Sequence, residues 1–163
     1  MENNIKVGLV KENGKHYKWR LEDIYETEQL WLDDCVRVKQ MADKVLKFRG
    51  ELSISATMLL NALQLKDKTM EITDKLYMYS LKRSQGNSKN SSNQIIFQKG
   101  KLLKSDIVEK LSYFEPELLT ISDEILIQFK KEVVQLSLYN FYFDKLTRQK
   151  HHILSEDKEN LLN

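Results

Sequence analysis

The histidines are the residues of this sequence best suited to metal chemistry, and their spacing argues against it. The chain holds three: His16, His151 and His152. A helical zinc site of the His-Glu-x-x-His type needs two imidazoles four residues apart and a glutamate as general base. His151 and His152 are adjacent, so on a helix their side chains point about 100° apart. No glutamate falls in the motif frame, and we predict no metal ligand and no cofactor bound by this chain.

Nucleophilic and phosphate chemistry have no sequence support either. The single cysteine, Cys35, falls on an apolar helical face, where burial raises the thiol pKa instead of activating the sulfur. No serine stands in a Gly-x-Ser-x-Gly turn, and no Gly-rich phosphate loop is present. Acidic pairs such as Glu22-Asp23 and Asp33-Asp34 sit among lysines, which is typical of a solvated surface. We therefore predict no catalytic residue in the chain.

Composition favours an all-α fold in a reducing compartment. Hydrophobic residues make up 41% of the 163 positions, and only five Gly and one Pro interrupt a sequence rich in helix formers. A formal charge of +2 without a long basic run argues against nucleic acid as a partner. No apolar stretch reaches the roughly 18 residues that cross a bilayer, and the amino terminus resembles no signal peptide. We expect a cytoplasmic protein without membrane contact.

The apolar periodicity predicts about five helices in an antiparallel bundle or array. Residues 1–25 form an amino-terminal arm, irregular or a hairpin around Asn13-Gly14, and residues 26–163 form the helical domain. The predicted helices run from Thr27 to Gly50, from Ser55 to about residue 83, from about Asn93 to Ser112, from Pro116, and from Thr120 to Arg148. Thr27 is the expected N-cap of the first, and Thr120 with Asp123 resembles a capping box.

Two features near the end of the sequence point beyond the domain. Ser155 would cap a last helix of about two turns, which is marginal in water, so we expect a truncated chain. The neighbouring aromatic residues of the band 139–143 cannot all face one core, so part of it should meet another surface. We predict Tyr139, Tyr142 and Phe143 as interface residues, facing either a further domain or a separate partner protein.

Several short stretches, in order, resemble one protein family over nearly the whole chain. The chain resembles the amino-terminal helical region of oligoendopeptidase F-type proteins, within the thimet-oligopeptidase-like zinc metallopeptidases. The stretches are Lys18-Trp19-Arg20-Leu21-Glu22-Asp23-Ile24-Tyr25, Trp31, Phe48-Arg49-Gly50-Glu51-Leu52, Leu76-Tyr77-Met78-Tyr79, Phe114-Glu115-Pro116-Glu117-Leu118-Leu119 and Arg148-Gln149-Lys150-His151-His152-Ile153-Leu154-Ser155.

The resemblance implies a fold and an activity for the family. Its members form a large, two-lobed, all-α shell around a deep channel and cleave short peptides with a zinc ion. The zinc is held by a His-Glu-x-x-His helix and a later glutamate, which lie beyond residue 163 of the present chain. None of the family's functional residues therefore falls on a position of this sequence. The matched region belongs to the non-catalytic lobe that walls and lids the channel.

Three functions follow as hypotheses. The leading one is a channel-walling domain of an oligoendopeptidase F-like protein, inactive alone, whose main partner is the missing catalytic domain. A second is half of a peptidase that a separate catalytic chain completes. A third is an independent helical interaction module that binds a peptide or protein through the 139–143 band.

Overall fold

The computed structural model describes residues 9–12, 15–18, 20–86 and 90–148, and it is predominantly helical. An antiparallel hairpin pairs β1 (Leu9–Glu12) with β2 (Lys15–Lys18), and the two strands flank the predicted turn dipeptide Asn13-Gly14. The α-helices are α1 (Glu28–Leu46), α2 (Ala56–Gly86), α3 (Ser91–Leu111), α4 (Phe114–Thr120) and α5 (Asp123–Glu132). Short 3-10 segments occupy Leu21–Asp23 and Val134–Tyr139, and residues 140–148 are helical. The predicted all-α class is confirmed.

The helix ends follow local capping chemistry at several predicted positions. The hydroxyl oxygen of Thr27 accepts a hydrogen bond from the Leu30 amide at 3.2 Å, as expected of an N-cap. Ser55 does the same for the Met58 amide at the start of α2, also at 3.2 Å. Gly50 has a φ of +82°, the left-handed conformation that glycine adopts at least cost, and it lies in the turn that follows α1.

The prediction of one continuous helix from Thr120 to Arg148 is wrong. Helix α5 ends at Glu132, and Val133 is extended, with φ −129° and ψ 93°. Two consecutive β-branched residues lose side-chain freedom in a helix, and the break turns the buried Leu136 inward while Val134 stays 72% exposed. The predicted capping box is also wrong, because Ser122, not Thr120, accepts the capping bond, from the Ile125 amide.

The predicted second and third helices leave a connector at about residues 84–92, and this connector is shorter in the structure. Helix α2 continues to Gly86 and α3 begins at Ser91, so helix replaces both ends of the expected loop. Ser84 and Asn93 are buried, and Asn93 accepts a hydrogen bond from Arg83 at 2.9 Å. Specific pairing therefore holds these polar residues in helices. The predicted start at Ser155 lies outside the described residues.

The chain divides into two compact units, and the first comprises Met1–Lys44 and Lys66–Lys110. Its three helix portions run up, down and up. The indole N–H of Trp31 donates to the Leu76 carbonyl at 3.0 Å, so α1 and α2 are antiparallel neighbours. Cross-helix ion pairs fix the same order: Glu28 with Arg83, Asp74 with Lys104, and Asp43 with Lys110. Helices α1 and α3 are consequently parallel.

A glycine allows α2 and α3 to approach closely within this unit. A Cβ added at Gly100 would lie 2.2 Å from Ser80 Oγ and 2.8 Å from Ser80 Cβ, so no larger residue fits without movement. The buried side chains of this unit come from all three helix portions. They include Trp31, Val38, Ala42, Thr69, Thr73, Leu76, Tyr79, Ile96, Leu103 and Ile107.

The second unit comprises Val45–Leu65 and Leu111–Asn163. Its described core is built from aliphatic and aromatic side chains that are at most 4% exposed: Val45, Leu52, Leu59, Leu63, Phe114, Leu118, Leu136, Phe143 and Leu146. Within the described part of the chain, no buried side-chain nitrogen or oxygen lacks a hydrogen-bond partner. No helix there is long and apolar enough to cross a membrane.

Candidate functional site

An apolar concave surface of the first unit is the groove between α1 and α3. It encloses about 460 Å³, within the range of protein binding pockets. Helix α2 packs against both α1 and α3. The groove between α1 and α3 is open to solvent. Its lining residues, which define the α1–α3 groove, are Trp31, Leu32, Cys35, Val36, Lys39, Lys99, Leu102, Leu103 and Asp106.

The walls of the α1–α3 groove expose large aliphatic side chains. Val36 on α1 is 60% exposed and Leu102 on α3 is 62% exposed. Each is one position away from a residue that packs further in, Cys35 and Leu103 respectively. The apolar stripe of each helix is therefore wider than its core requires. The apolar excess on two facing helices was the sequence signal for this groove, and the sequence analysis missed it.

Charged side chains surround the apolar walls. Lys39 lies on α1, and Lys99 and Asp106 lie on α3 two helical turns apart. None of these three side chains makes an ion pair with another described residue, whereas Lys104 and Lys110 on the same helix each do. The groove therefore presents two cations and one anion around an aliphatic surface.

Cys35 lines the groove but is not poised as a nucleophile. It is half-buried, and burial raises its pKa to about 11, with Lys39 and Lys99 opposing the shift. A thiol protonated at neutral pH reacts slowly. Cys35 is therefore not activated as a nucleophile.

A second cluster, in the other unit, joins two of the family-like stretches. The carboxylate of Glu117 accepts hydrogen bonds from the backbone amides of Gly50 at 2.8 Å and Leu52 at 3.0 Å. The hydroxyl of Tyr113 donates to the Val45 carbonyl at 2.6 Å, and the Arg49 guanidinium lies 5.7 Å from the Tyr113 ring centre. We call these contacts the Glu117 clamp. The family-like stretches 48–52 and 114–119 are therefore joined to each other by structural contacts.

The titration of Tyr113 reflects its place in the clamp. Burial is the main reason that the pKa of the Tyr113 hydroxyl rises to about 12, the Glu117 carboxylate adds to the rise, and Arg49 opposes it. A phenol with so high a pKa remains a hydrogen-bond donor throughout the physiological range. The Tyr113 hydroxyl therefore keeps the proton that it donates to the Val45 carbonyl, and the cluster is suited to holding backbone in place.

The predicted interface residues have different environments. Phe143 is only 4% exposed and packs beside the rings of Tyr139 and Tyr142, with centre distances of 6.4 and 6.2 Å. The Tyr142 hydroxyl donates to Glu115 at 3.2 Å. The exposed apolar surface here comes instead from Phe141, 78% exposed, and Leu138, 83% exposed. An interface at Tyr139, Tyr142 and Phe143 stays a prediction.

The described residues contain no zinc site. His16 lies in β2, and His151 and His152 lie outside the described residues. Across the described ranges, no group of three or more His, Cys, Asp or Glu side chains comes close enough together to hold a metal ion. We therefore derive no metal chemistry from this chain.

Comparisons with known proteins agree on one family. A family model described as Oligopeptidase F matches residues 117–163. The oligopeptidase PepF of Bacillus subtilis is 35% identical over 88% of this chain and 22% of its own length. The group B oligopeptidase PepB of Streptococcus agalactiae is 29% identical over 90% of this chain and 24% of its own length. The crystal structure of oligoendopeptidase-F from Enterococcus faecium superposes with a TM-score of 0.70 at 26% identity, covering 83% of this chain and 27% of that one.

The fold and these matches together indicate a helical region like that of a peptidase class. The chain resembles the amino-terminal helical region of oligoendopeptidase F-type proteins. It spans about a quarter of the length of the relatives that it matches.

Proposed function

We propose that this chain is a non-catalytic, channel-walling domain of an oligoendopeptidase F-type zinc peptidase. It supplies no zinc ligand and no general base. Its role is to shape the access path of short peptides and to restrict that path by substrate size. The catalytic residues and the zinc ion belong to the part of such a protein that this chain does not include.

One observation carries the proposal. The match to an oligopeptidase extends over 88% of this chain but only 22% of that relative, and no His-Glu-x-x-His motif occurs in the sequence. The described residues include the open α1–α3 groove and the Glu117 clamp. Both are suited to positioning helices, which is the task of a wall domain.

Zinc analysis and peptide hydrolysis on the purified 163-residue chain test the absence of catalysis. We expect far less than one zinc per chain and no turnover of short peptides. Stoichiometric zinc together with turnover, both lost on His151→Ala/His152→Ala substitution, would overturn the proposal. Glu51→Ala, an exposed change far from any histidine in sequence, is the matched control.

A chimaera tests the wall function itself. In the Bacillus subtilis oligopeptidase PepF, the matching segment is exchanged for this chain, and hydrolysis is followed on peptides of increasing length. We expect hydrolysis of short peptides with a steep fall for longer ones, and a weaker fall when Glu117→Ala loosens the clamp. Unchanged length selection in an active Glu117→Ala chimaera would count against a wall role, with Glu51→Ala as its control.

A further inference from the structure

We propose that the α1–α3 groove seats an amphipathic helix that carries an acidic residue and comes from the remainder of a full-length oligoendopeptidase F-type chain. The inference rests on the proposed function and adds the surface of contact and the kind of partner. The groove, the exposed apolar stripes and the unpaired charges of the first unit carry it.

The geometry of the groove fits a helix. Leu32 and Val36 are four residues apart on α1, and Ile95 and Leu102 are seven apart on α3, so each pair lies on one helical face. Val36, Ile95 and Leu102 are 56% to 62% exposed. A third helix laid along two parallel helices buries such stripes with its own anchors at i, i+3 or i+4 and i+7. An apolar face of this kind is the usual mark of an interaction site.

Charge complementarity selects an acidic partner. Lys39 and Lys99 present two ammonium groups, and Asp106 is the only acidic side chain that lines the described groove. An acidic residue on the partner helix would pair with a lysine that has no ion-pair partner within the described chain. A second copy of this chain would place the same net positive groove against itself in a two-fold pair, which like-charge repulsion disfavours.

The length of the relatives supplies a source for the partner. This chain spans 22% to 27% of the matched proteins, so about three quarters of their length lies outside the matched region. A helix seated in the groove would remove the exposed apolar surface of Leu102 and Val36 from water. A helix from that remaining length is therefore the occupant to which we commit.

Cys35 gives a direct readout because it is the only cysteine in the sequence and lines the groove. Peptides of about 25 residues, tiled over the unmatched part of the Bacillus subtilis oligopeptidase PepF, are added to the 163-residue chain, and iodoacetamide alkylation of Cys35 is followed at pH 9. We expect at least fivefold slower alkylation with a few peptides only, each with an apolar i, i+3 or i+4, i+7 stripe and an acidic residue. Protection by peptides without those features would overturn the proposal.

Matched substitutions locate the contact. Leu102→Lys should weaken the protecting peptide at least tenfold, whereas Val108→Lys, an exposed apolar position of α3 outside the groove, should leave binding within twofold. Lys99→Glu should weaken it several-fold at low salt, and Lys101→Glu, also exposed on α3, should not. Equal effects of Leu102→Lys and Val108→Lys would contradict a seat in the groove.

The chimaera described above provides the second measurement. Alkylation of Cys35 is read on the tryptic peptide that contains it, in the chimaera and in the separate chain. We expect at least tenfold slower alkylation in the chimaera, reversed by Leu102→Lys. Protection in neither assay overturns the groove assignment, even where the length selection of the chimaera supports the wall function. Protection that instead grows with the concentration of this chain alone identifies a second copy as occupant and also overturns it.

Discussion

The Glu117 clamp and the α1–α3 groove differ in whether their charged groups are paired with other described residues. In the clamp, one carboxylate accepts two backbone amides and a tyrosine hydroxyl reaches a backbone carbonyl, so the polar groups that hold it are paired internally. In the groove, two lysines and an aspartate have no ion-pair partner among the described residues, beside leucine and valine side chains that face solvent. The clamp therefore satisfies its own hydrogen-bonding groups, whereas the groove exposes apolar and charged side chains of the kind found at binding surfaces.

The clamp and the groove also differ in how many of their residues lie in the family-like stretches. The clamp uses residues within the family-like stretches 48–52 and 114–119, and its chemistry is structural. The groove uses only Trp31 from the quoted stretches, and Trp31 also serves the core. Residues that carry the family resemblance can therefore serve the scaffold, while the proposed contact surface consists mainly of leucine, valine and lysine residues outside those stretches.

Removing the Glu117 carboxylate should cause the largest change in stability of the variants that compare the clamp with the groove. Glu117→Ala leaves two backbone amides without their acceptor, and hydrogen bonds to a charged group contribute about 1.5 kcal/mol each at the lower end. We expect a loss of about 3 kcal/mol in the free energy of unfolding, measured by urea titration. Glu117→Gln, which keeps one good acceptor, should lose about half, and Glu51→Ala should change little. Equal stability of Glu117→Ala and Glu51→Ala would show that the clamp is not a joint.

The titration of Cys35 should produce the next largest effect. Burial raises its pKa from 9.0 to about 11, so at pH 8 the folded chain should hold about 100-fold less thiolate than the unfolded chain. Stability from this group is present below pH 9 and is lost as the pH rises through 11. We expect the alkylation rate of the folded chain to keep rising about tenfold per pH unit up to pH 10. A plateau near pH 9 would mean that the groove is more open than described.

Gly50→Ala should have a smaller effect that isolates the backbone of the clamp. A Cβ at this position meets nothing within 4 Å, so the cost comes from the φ of +82° alone. We expect a loss of about 1 kcal/mol, the usual penalty for a side chain in the left-handed region. Gly50→Asn should cost less, since asparagine tolerates this conformation better. A loss as large as that of Glu117→Ala would show that the turn itself, and not the carboxylate, dominates the joint.

Leu102→Lys should have the smallest effect on stability and so sharpen the contrast with the clamp. The side chain is 62% exposed, and exposed substitutions usually stay within about 0.5 kcal/mol. Leu103→Ala, at the adjacent buried position, should cost about 3 kcal/mol. Thermal and urea unfolding of the two variants provide the measurement. A large loss for Leu102→Lys would place this residue in the core and remove the main apolar wall of the groove.

The helical periodicity of the sequence predicted most of the fold. Trp31, Val38, Ala42 and Val45 recur at steps that place them on one face of α1, and all four are at most 1% exposed. The Thr27 cap was predictable because its bond is local. The break at Val133 was not, because it depends on which of Val134 and Leu136 finds a buried place, and that is decided by packing distant in sequence.

The sites were harder to predict for the same reason. The sequence gives Glu117 no distinguishing role, and only the fold brings it to the amides of Gly50 and Leu52. The aromatic band 139–143 attracted attention by composition, yet Phe143 is buried and the groove lies elsewhere in the chain. Neither the clamp nor the groove is visible until residues distant in sequence are placed side by side.

Each compact unit is built from two separate stretches of the chain. The order of synthesis therefore determines when each unit can be completed. The second unit needs both Val45–Leu65 and residues from Leu111 onward, with part of the first unit between them in the chain. Glu117 follows Leu52 by 65 residues. At typical translation rates, the turn around Gly50 waits about 3 to 13 s for its carboxylate to be synthesised. During that interval the nascent chain holds a 45–65 segment whose core partners from Leu111 onward have not yet been synthesised.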